Sequence, residues 1–334
     1  MPRIRSLLAV LTPGEVHDFL PGPMLSELHS LAPEVQVVDS CTLTEATFAA
    51  LLSKVDPGVL VACWKTPALP AVLPPNLRYL CYLTGSVKKL VTRAHLDRGL
   101  AVTNWGGSVS RVVAECALLL TLAALRRAGH WIPAMHREGA WKTGQTETAS
   151  LFDRRVGLHG FGLVARELTK LLRPFNVEIS VCAPETDPAL YAAHGARRVD
   201  SLEVLFREND VIIELAPLIP ATTGIITEHL LRFIRPGGVF VNVGRGAVVD
   251  EEALLRIARE STIQIALDVY GTEPLPANSG FRGLPNVILL PHLAGPTTDR
   301  RRDAGAFGLR NLRAYIADQP LESVITPEVF DHST

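Results

Sequence analysis

The sequence predicts an α/β protein made of two doubly wound parallel-sheet domains with a cleft between them. Three observations carry that expectation. Short β-rich runs are interleaved with helix-like patterns from the start of the chain. A second series of the same kind begins at Val156 and supplies six candidate strands. The first of those strands runs into a glycine-rich turn and then a helix-like segment, the opening of a βαβ unit. With 334 residues, 47% of them apolar, the chain is long enough to bury two such cores.

In chain order, MPRIRSLLAVLTPGEV has a basic beginning, but its apolar run is short and reads as a first strand, Arg5–Leu11, rather than a signal peptide. Val35–Val38, Val59–Cys63 and Tyr79–Thr84 follow as strands of the first domain. The apolar stretch Val112–Leu125 is too short to span a bilayer and ends in Arg126-Arg127, so it reads as a buried or subunit-facing helix. The second series is Val156–Leu158, Glu178–Cys182, Asp210–Leu215, Val239–Val243, Ile263–Asp268 and Val287–Leu290. A last helix is expected over Asp303–Ile316. There are no repeats and no low-complexity linker.

Composition excludes several classes of function. Lys and Arg (33) balance Asp and Glu (34), which argues against nucleic acid or a membrane surface as the main partner. Five cysteines, at 41, 63, 81, 116 and 182, are scattered, odd in number and lack a C-x-x-C spacing, so they read as buried thiols in a reducing, cytoplasmic compartment. No metal site is expected, because the ten histidines are dispersed and the nearest pair, His130 and His136, has only Glu138 close by. Neither a G-x-S-x-G hydrolase turn nor a Walker-type loop is present.

The glycine turn, VGLHGFGLVA, has a residue-by-residue logic. Gly160 permits a tight strand-to-helix turn, Gly162 lets the backbone approach a pyrophosphate, and Ala165 is small enough for the helix to pack near the sheet. The amides of Gly162, Leu163 and Val164, at the positive end of the helix LVARELTKLLRPF, would meet the phosphates. With six strands, this domain is expected to be Rossmann-like and to bind a dinucleotide. The acidic residue usual at the end of the second strand is replaced by Ala183, with Glu185 two residues on. Ala183 neither holds ribose hydroxyls nor repels a 2′-phosphate, and no Arg or Lys follows immediately. NAD and NADP therefore both stay open, with NAD slightly favoured.

Several further segments share a fixed order: VAECALLL after VTNWGG, LAPLIPATTG, NVGRGAVVDEEAL, ALDVYGTEPLP and LPNVILLPHLAG. Together with the glycine turn, from about Leu77 to Gly295, they resemble the D-isomer-specific 2-hydroxyacid dehydrogenase family, in particular its glyoxylate and hydroxypyruvate reductases. The resemblance implies a dinucleotide-binding domain, residues 107–298, inserted into a substrate-binding domain of residues 1–106 plus 299–334. It implies reversible hydride transfer between NAD(P)H and a small 2-oxo or 2-hydroxy acid, D-specific, in a homodimer joined through the Val112–Leu125 helix.

That reaction leaves an alkoxide needing a proton beside a carboxylate needing a cation. His292 is expected as the general acid and base, since imidazole titrates near neutral pH. Glu273, against the other ring nitrogen, would fix its tautomer, and Arg245 would bind the substrate carboxylate and polarise the carbonyl. By resemblance Asp268 contacts the nicotinamide amide, the alternative for it being helix or turn capping; Pro217, Thr222, Val243 and Gly244 also border the cofactor, and the amides of Gly85, Ser86 and Val87 meet the substrate carboxylate.

Departures from the family pattern leave alternatives. Lys88 and Lys89 stand where acids are usual, either as a solvated face or as positive potential suiting a doubly charged substrate. Trp64 and Lys65 either border the pocket or are a core tryptophan and a surface lysine. Leu215 and Ile219 replace residues that are commonly polar. Two other functions remain: a non-catalytic NAD(H)-sensing protein of the corepressor type, and a dehydrogenase of a non-carboxylate anion such as phosphite.

Overall fold

The structure is a computed structural model that describes residues 4–143 and 147–331. It divides into two compact units, one reaching Val109 and resuming at Pro296, the other running from Ser110 to Gly295.

The first unit holds five parallel strands, β1 (Ser6–Val10), β2 (Glu34–Val38), β3 (Val59–Ala62), β4 (Tyr79–Tyr82) and β5 (Ala101–Thr103), in the order β2-β1-β3-β4-β5. Every residue of β1, β3 and β4 is buried, which is why they read as unbroken apolar runs: helices cover both faces. The direction of winding reverses between β1 and β3, so the chain diverges there and leaves the strand ends open. After β1, helix Pro13–Phe19 starts on a capping box: the Thr12 hydroxyl accepts from the Glu15 amide and Glu15 accepts from the Thr12 amide. The expected last helix forms over Arg301–Ile316 and completes this core with Ala304, Leu309, Leu312 and Tyr315, the last stacked on Tyr79. Strand β5 was not expected from the sequence. It has only three residues, and pairing with β4 rather than intrinsic pattern makes it a strand.

The second unit holds seven parallel strands rather than six: β6 (Arg155–His159), β7 (Glu178–Cys182), β8 (Ala196–Arg198), β9 (Val211–Glu214), β10 (Val239–Asn242), β11 (Gln264–Leu267) and β12 (Val287–Leu289). Their order is β12-β11-β10-β9-β6-β7-β8, the doubly wound arrangement with its switch point between β6 and β9. The additional strand, β8, is an edge strand of sequence ARR with both arginines exposed, and so carries no apolar signal. Helix Leu163–Leu172 buries Ala165, Leu168, Thr169 and Leu172, one stripe at helical spacing. Those apolar residues share a core with Ala114, Ala117, Leu120 and Ala124 of helix Ser110–Leu125.

Among the described residues no helix is long and apolar enough to cross a membrane, and no three metal-ligating side chains cluster. All five cysteines are unpaired thiols; Cys63, Cys81 and Cys182 are buried as expected, but Cys116 is only half-buried and Cys41, in the short turn after β2, is exposed.

Leu168 is fully buried under the helix that follows the glycine turn. Truncating it, Leu168→Ala, is expected to cost about 2–5 kcal/mol of stability, read as a lowered denaturant midpoint at unchanged slope.

Candidate active site

The glycine turn lies at the switch point. Gly160 has a φ of +89°, and a Cβ there would stand 2.8 Å from the Ala216 Cα, so both conformation and space demand glycine. Its amide donates to the Cys182 carbonyl on β7. Gly162 is the N-cap of the Leu163–Leu172 helix, has no side-chain cap, and faces open space: nothing lies within 4 Å of a Cβ built there. Leu163 is exposed, Val164 half-buried and Ala165 fully buried. Phe161 stacks on Tyr191, whose hydroxyl donates to the Ala183 carbonyl at the end of β7. Glu185 is exposed, and Arg198, at the end of β8, pairs with Asp200 at 3.3 Å.

The ends of β10, β11 and β12 bring the titratable residues together. Asp268, just past β11, is fully buried, and its two carboxylate oxygens accept from the amides of Leu293 (2.6 Å) and Ala294 (2.8 Å). Burial pushes its carboxyl above the usual range, while those amides and His292 pull the other way. The Asp268 carbonyl accepts from the His292 amide, and His292 adopts a left-handed conformation, φ +55°, that costs a non-glycine residue about 1–2 kcal/mol. Three hydrogen bonds to Asp268 therefore fix the backbone that carries the ring. Glu273 Oε2 lies 2.7 Å from His292 Nδ1, and its Oε1 accepts from the Tyr270 amide. Tyr270 in turn donates through its hydroxyl to the Leu290 carbonyl, tying the loop after β11 to the end of β12.

Arg245 follows β10 and is half-buried, with Nη1 donating to the Gly244 carbonyl. Desolvation lowers its pKa from the usual arginine value, partly offset by the Glu273 charge. Gly246 beside it packs so tightly on Tyr270 that a Cβ would meet that carbonyl carbon at 1.9 Å, which anchors the arginine to the Asp268–Glu273 loop.

Of the other expected residues, Val243 is buried, Gly244 half-buried and its amide held by Asn242, and Pro217 exposed. Thr222 spends its hydroxyl inside its own loop, donating to the Pro217 carbonyl and accepting from the Ile219 amide. In the first unit the Gly85 carbonyl accepts from Asn104, Ser86 is exposed and the Val87 side chain belongs to the core. Trp64 is 44% exposed at the end of β3, edge-on to Phe19 and Trp105 with Arg301 over its ring. Lys89 is exposed, and Lys88 sits over the Phe330 ring. One pair went unnoticed in the sequence: His159 and Glu214, buried and 2.5 Å apart across β6 and β9. The available signal was a histidine and a glutamate ending otherwise apolar strands.

Residues 118–294 match the family model for the D-isomer specific 2-hydroxyacid dehydrogenase NAD binding domain, more than half of the chain. The chain belongs to the D-isomer specific 2-hydroxyacid dehydrogenase family. It is 30% identical over 260 residues, 76% of this chain and 81% of the relative, to a glyoxylate/hydroxypyruvate reductase B of Pectobacterium atrosepticum. It is 33% identical to a hydroxyphenylpyruvate reductase of Plectranthus scutellarioides, over 70% of this chain and 72% of that one. The fold matches the crystal structure of a glyoxylate reductase from Paecilomyes thermophila at a TM-score of 0.81 and 24% identity, covering 98% and 99% of the two chains. Membership makes the protein an NAD(P)-dependent oxidoreductase acting on CH–OH groups. The residues present fit such a cofactor: open space over Gly162 at a helix N-terminus, and a buried Asp268 carboxylate at the carboxyl end of β11 in the same sheet.

Replacing Gly162 with Asp puts a favourable N-cap on the helix but a negative charge where the phosphates of the dehydrogenase cofactor would lie. The Gly162→Asp variant is expected to melt at or above the wild-type temperature and to lose NADH binding in a fluorescence titration.

Proposed function

We propose that the protein reduces a small 2-oxo acid to its D-2-hydroxy acid, with His292 as general acid and Arg245 as the carboxylate-binding cation. The Glu273–His292 contact carries this reading: it holds Nδ1 as the hydrogen-bond donor and leaves Nε2 as the nitrogen that exchanges a proton with substrate. The bound cofactor supplies the hydride. As negative charge develops on the substrate oxygen, the Nε2 proton moves onto it, and Glu273 stabilises the ring as it gives and regains that proton. Arg245 presents a planar fork to the substrate carboxylate, and its partial desolvation strengthens that pairing. The Asp268 carboxylate, held by two amides, is proposed to orient the nicotinamide amide, and the Gly85–Val87 loop to contact the substrate carboxylate through its amides.

Glyoxylate and hydroxypyruvate are the first substrates to try, following the names of the relatives. NAD is proposed over NADP because Glu185 is exposed near the end of β7 and the nearby Arg198 is engaged by Asp200. A cytoplasmic homodimer is proposed on the free thiols and on the apolar side chains that helices Ser110–Leu125 and Ala128–Glu138 expose, Leu119, Ile132 and Met135.

The test is NADH and NADPH oxidation against a panel of 2-oxo acids, with phosphite and NAD(P) as the reverse control. Turnover of one acid, faster with NADH, is expected. NADH binding with no turnover on any acid points instead to a sensor, and phosphite oxidation alone to a dehydrogenase of that anion. In the active enzyme, His292→Ala is expected to lower kcat about 10²–10⁴-fold while the NADH Kd stays within the error of the titration.

A further inference from the structure

A glutamate with no exposure and a histidine 7% exposed close the two strands that flank the switch point. His159 and Glu214 are direct partners in the parallel register of β6 and β9, and the Nδ1–Oε2 distance is 2.5 Å. The second oxygen of Glu214 accepts from the Ala216 amide at 2.7 Å. A buried carboxylate without partners would be strongly unfavourable, and these two bonds offset the cost of burying Glu214. Apolar residues at both positions would fill the same space without that penalty, and a purely packing role does not call for this pair.

Its location suggests what the pair does. His159 immediately precedes Gly160, and the place where a Gly160 side chain would stand is filled by the backbone of Leu215 and Ala216. The Leu215 amide donates to the His159 carbonyl. The Glu214 carbonyl stands 3.2 Å from where a Gly244 Cβ would be. One carboxylate thus clamps the glycine turn to the Leu215–Pro217 segment, the two backbone stretches that must keep a fixed spacing for a pyrophosphate to meet the amides of Gly162 to Val164.

We infer that Glu214, acting through His159 and the Ala216 amide, is a positioning residue that sets the width of the cofactor groove at the switch point. This rests on the reading of the glycine turn as the pyrophosphate cradle. Glu214 touches neither hydride nor substrate, so its effect is on cofactor affinity rather than on the chemical step.

Three variants of the full chain test it, each followed by NADH fluorescence titration, thermal melting and steady-state kinetics. Glu214→Gln can still accept from Ala216 and bond the ring, and its NADH Kd is expected to stay within about threefold of wild type. Glu214→Leu loses both bonds, and a Kd at least about tenfold weaker is expected, with kcat at saturating cofactor within about threefold. The double variant His159→Ile with Glu214→Leu removes the stranded histidine as well. Its melting temperature is expected to recover to near wild type while NADH binding stays about tenfold weak, a split that loss of folding cannot produce. The double variant also keeps the test decisive if Glu214→Leu alone does not fold. Wild-type NADH affinity in the double variant overturns the inference, as does a Glu214→Gln as weak as Glu214→Leu. Gly162→Asp separates the two levels: if it binds NADH normally the cradle reading fails and the inference with it, whereas if it loses NADH and the Glu214 series does not, only the positioning role is wrong.

Discussion

The carboxylate of Asp268 is the fixed point of the second unit's strand ends. It is fully buried and accepts from two successive amides, and the carbonyl of the same residue accepts from a third. Those bonds hold the chain after β12 in a tight reversal that puts His292 into a left-handed backbone conformation. A residue with a Cβ does not stay there unless its neighbours hold it. Orientation of the imidazole, its contact with Glu273 and the direction in which it can pass a proton all follow from that reversal. The Tyr270 hydroxyl and the packing of Gly246 against Tyr270 then fix Glu273 and Arg245 relative to the same point. The geometry is built from backbone contacts of three neighbouring strands, and the reacting side chains extend from it.

Much of the fold was legible because parallel strands buried on both faces read as apolar runs, and β1, β3, β4, β7, β9, β10, β11 and β12 all announce themselves in this way or nearly so. Two strands were not. β5 is three residues long, and β8 is made of Ala196 and two exposed arginines, so in each case the partner strand, not the local sequence, makes the segment extended. At the candidate site, the residue types and their order could be read from VNVGRG, LDVYGTE and PHLAG, but not what holds them. Nothing in the sequence says that Tyr270 reaches Leu290 or that Asp268 serves the amides of Leu293 and Ala294, because these contacts join residues 20 to 26 positions apart and depend on sheet order. The His159–Glu214 pair escaped for the same reason. Each member looks like an odd polar residue until β6 and β9, more than fifty positions apart, are placed side by side.

Charge inside this unit is handled consistently. The buried acids Asp268 and Glu214 each bond a backbone amide as well as lying near a histidine, so that neither depends on a flexible partner side chain. The ion pairs with exposed partners, such as Arg232 with Glu228 and Glu260, are of the screened kind that contribute little. Stability comes instead from the apolar layers on either side of the sheet, and the acids are confined to the carboxyl ends of its strands.

The helix Arg301–Ile316 has a consequence for how the chain comes to be folded at all. It supplies Ala304, Leu309, Leu312 and Tyr315 to a core whose other buried members run from Ile4 to Val109, and its Arg301 and Arg313 reach Asp18 and Glu27. On a ribosome, which releases a chain from its first residue onward, the opening hundred residues emerge with this wall of their core still unsynthesised. The second unit, being continuous, has all its strands in hand before that wall arrives. The later-made domain can therefore finish first, and the earlier-made one waits with an apolar face uncovered until the helix Arg301–Ile316 arrives.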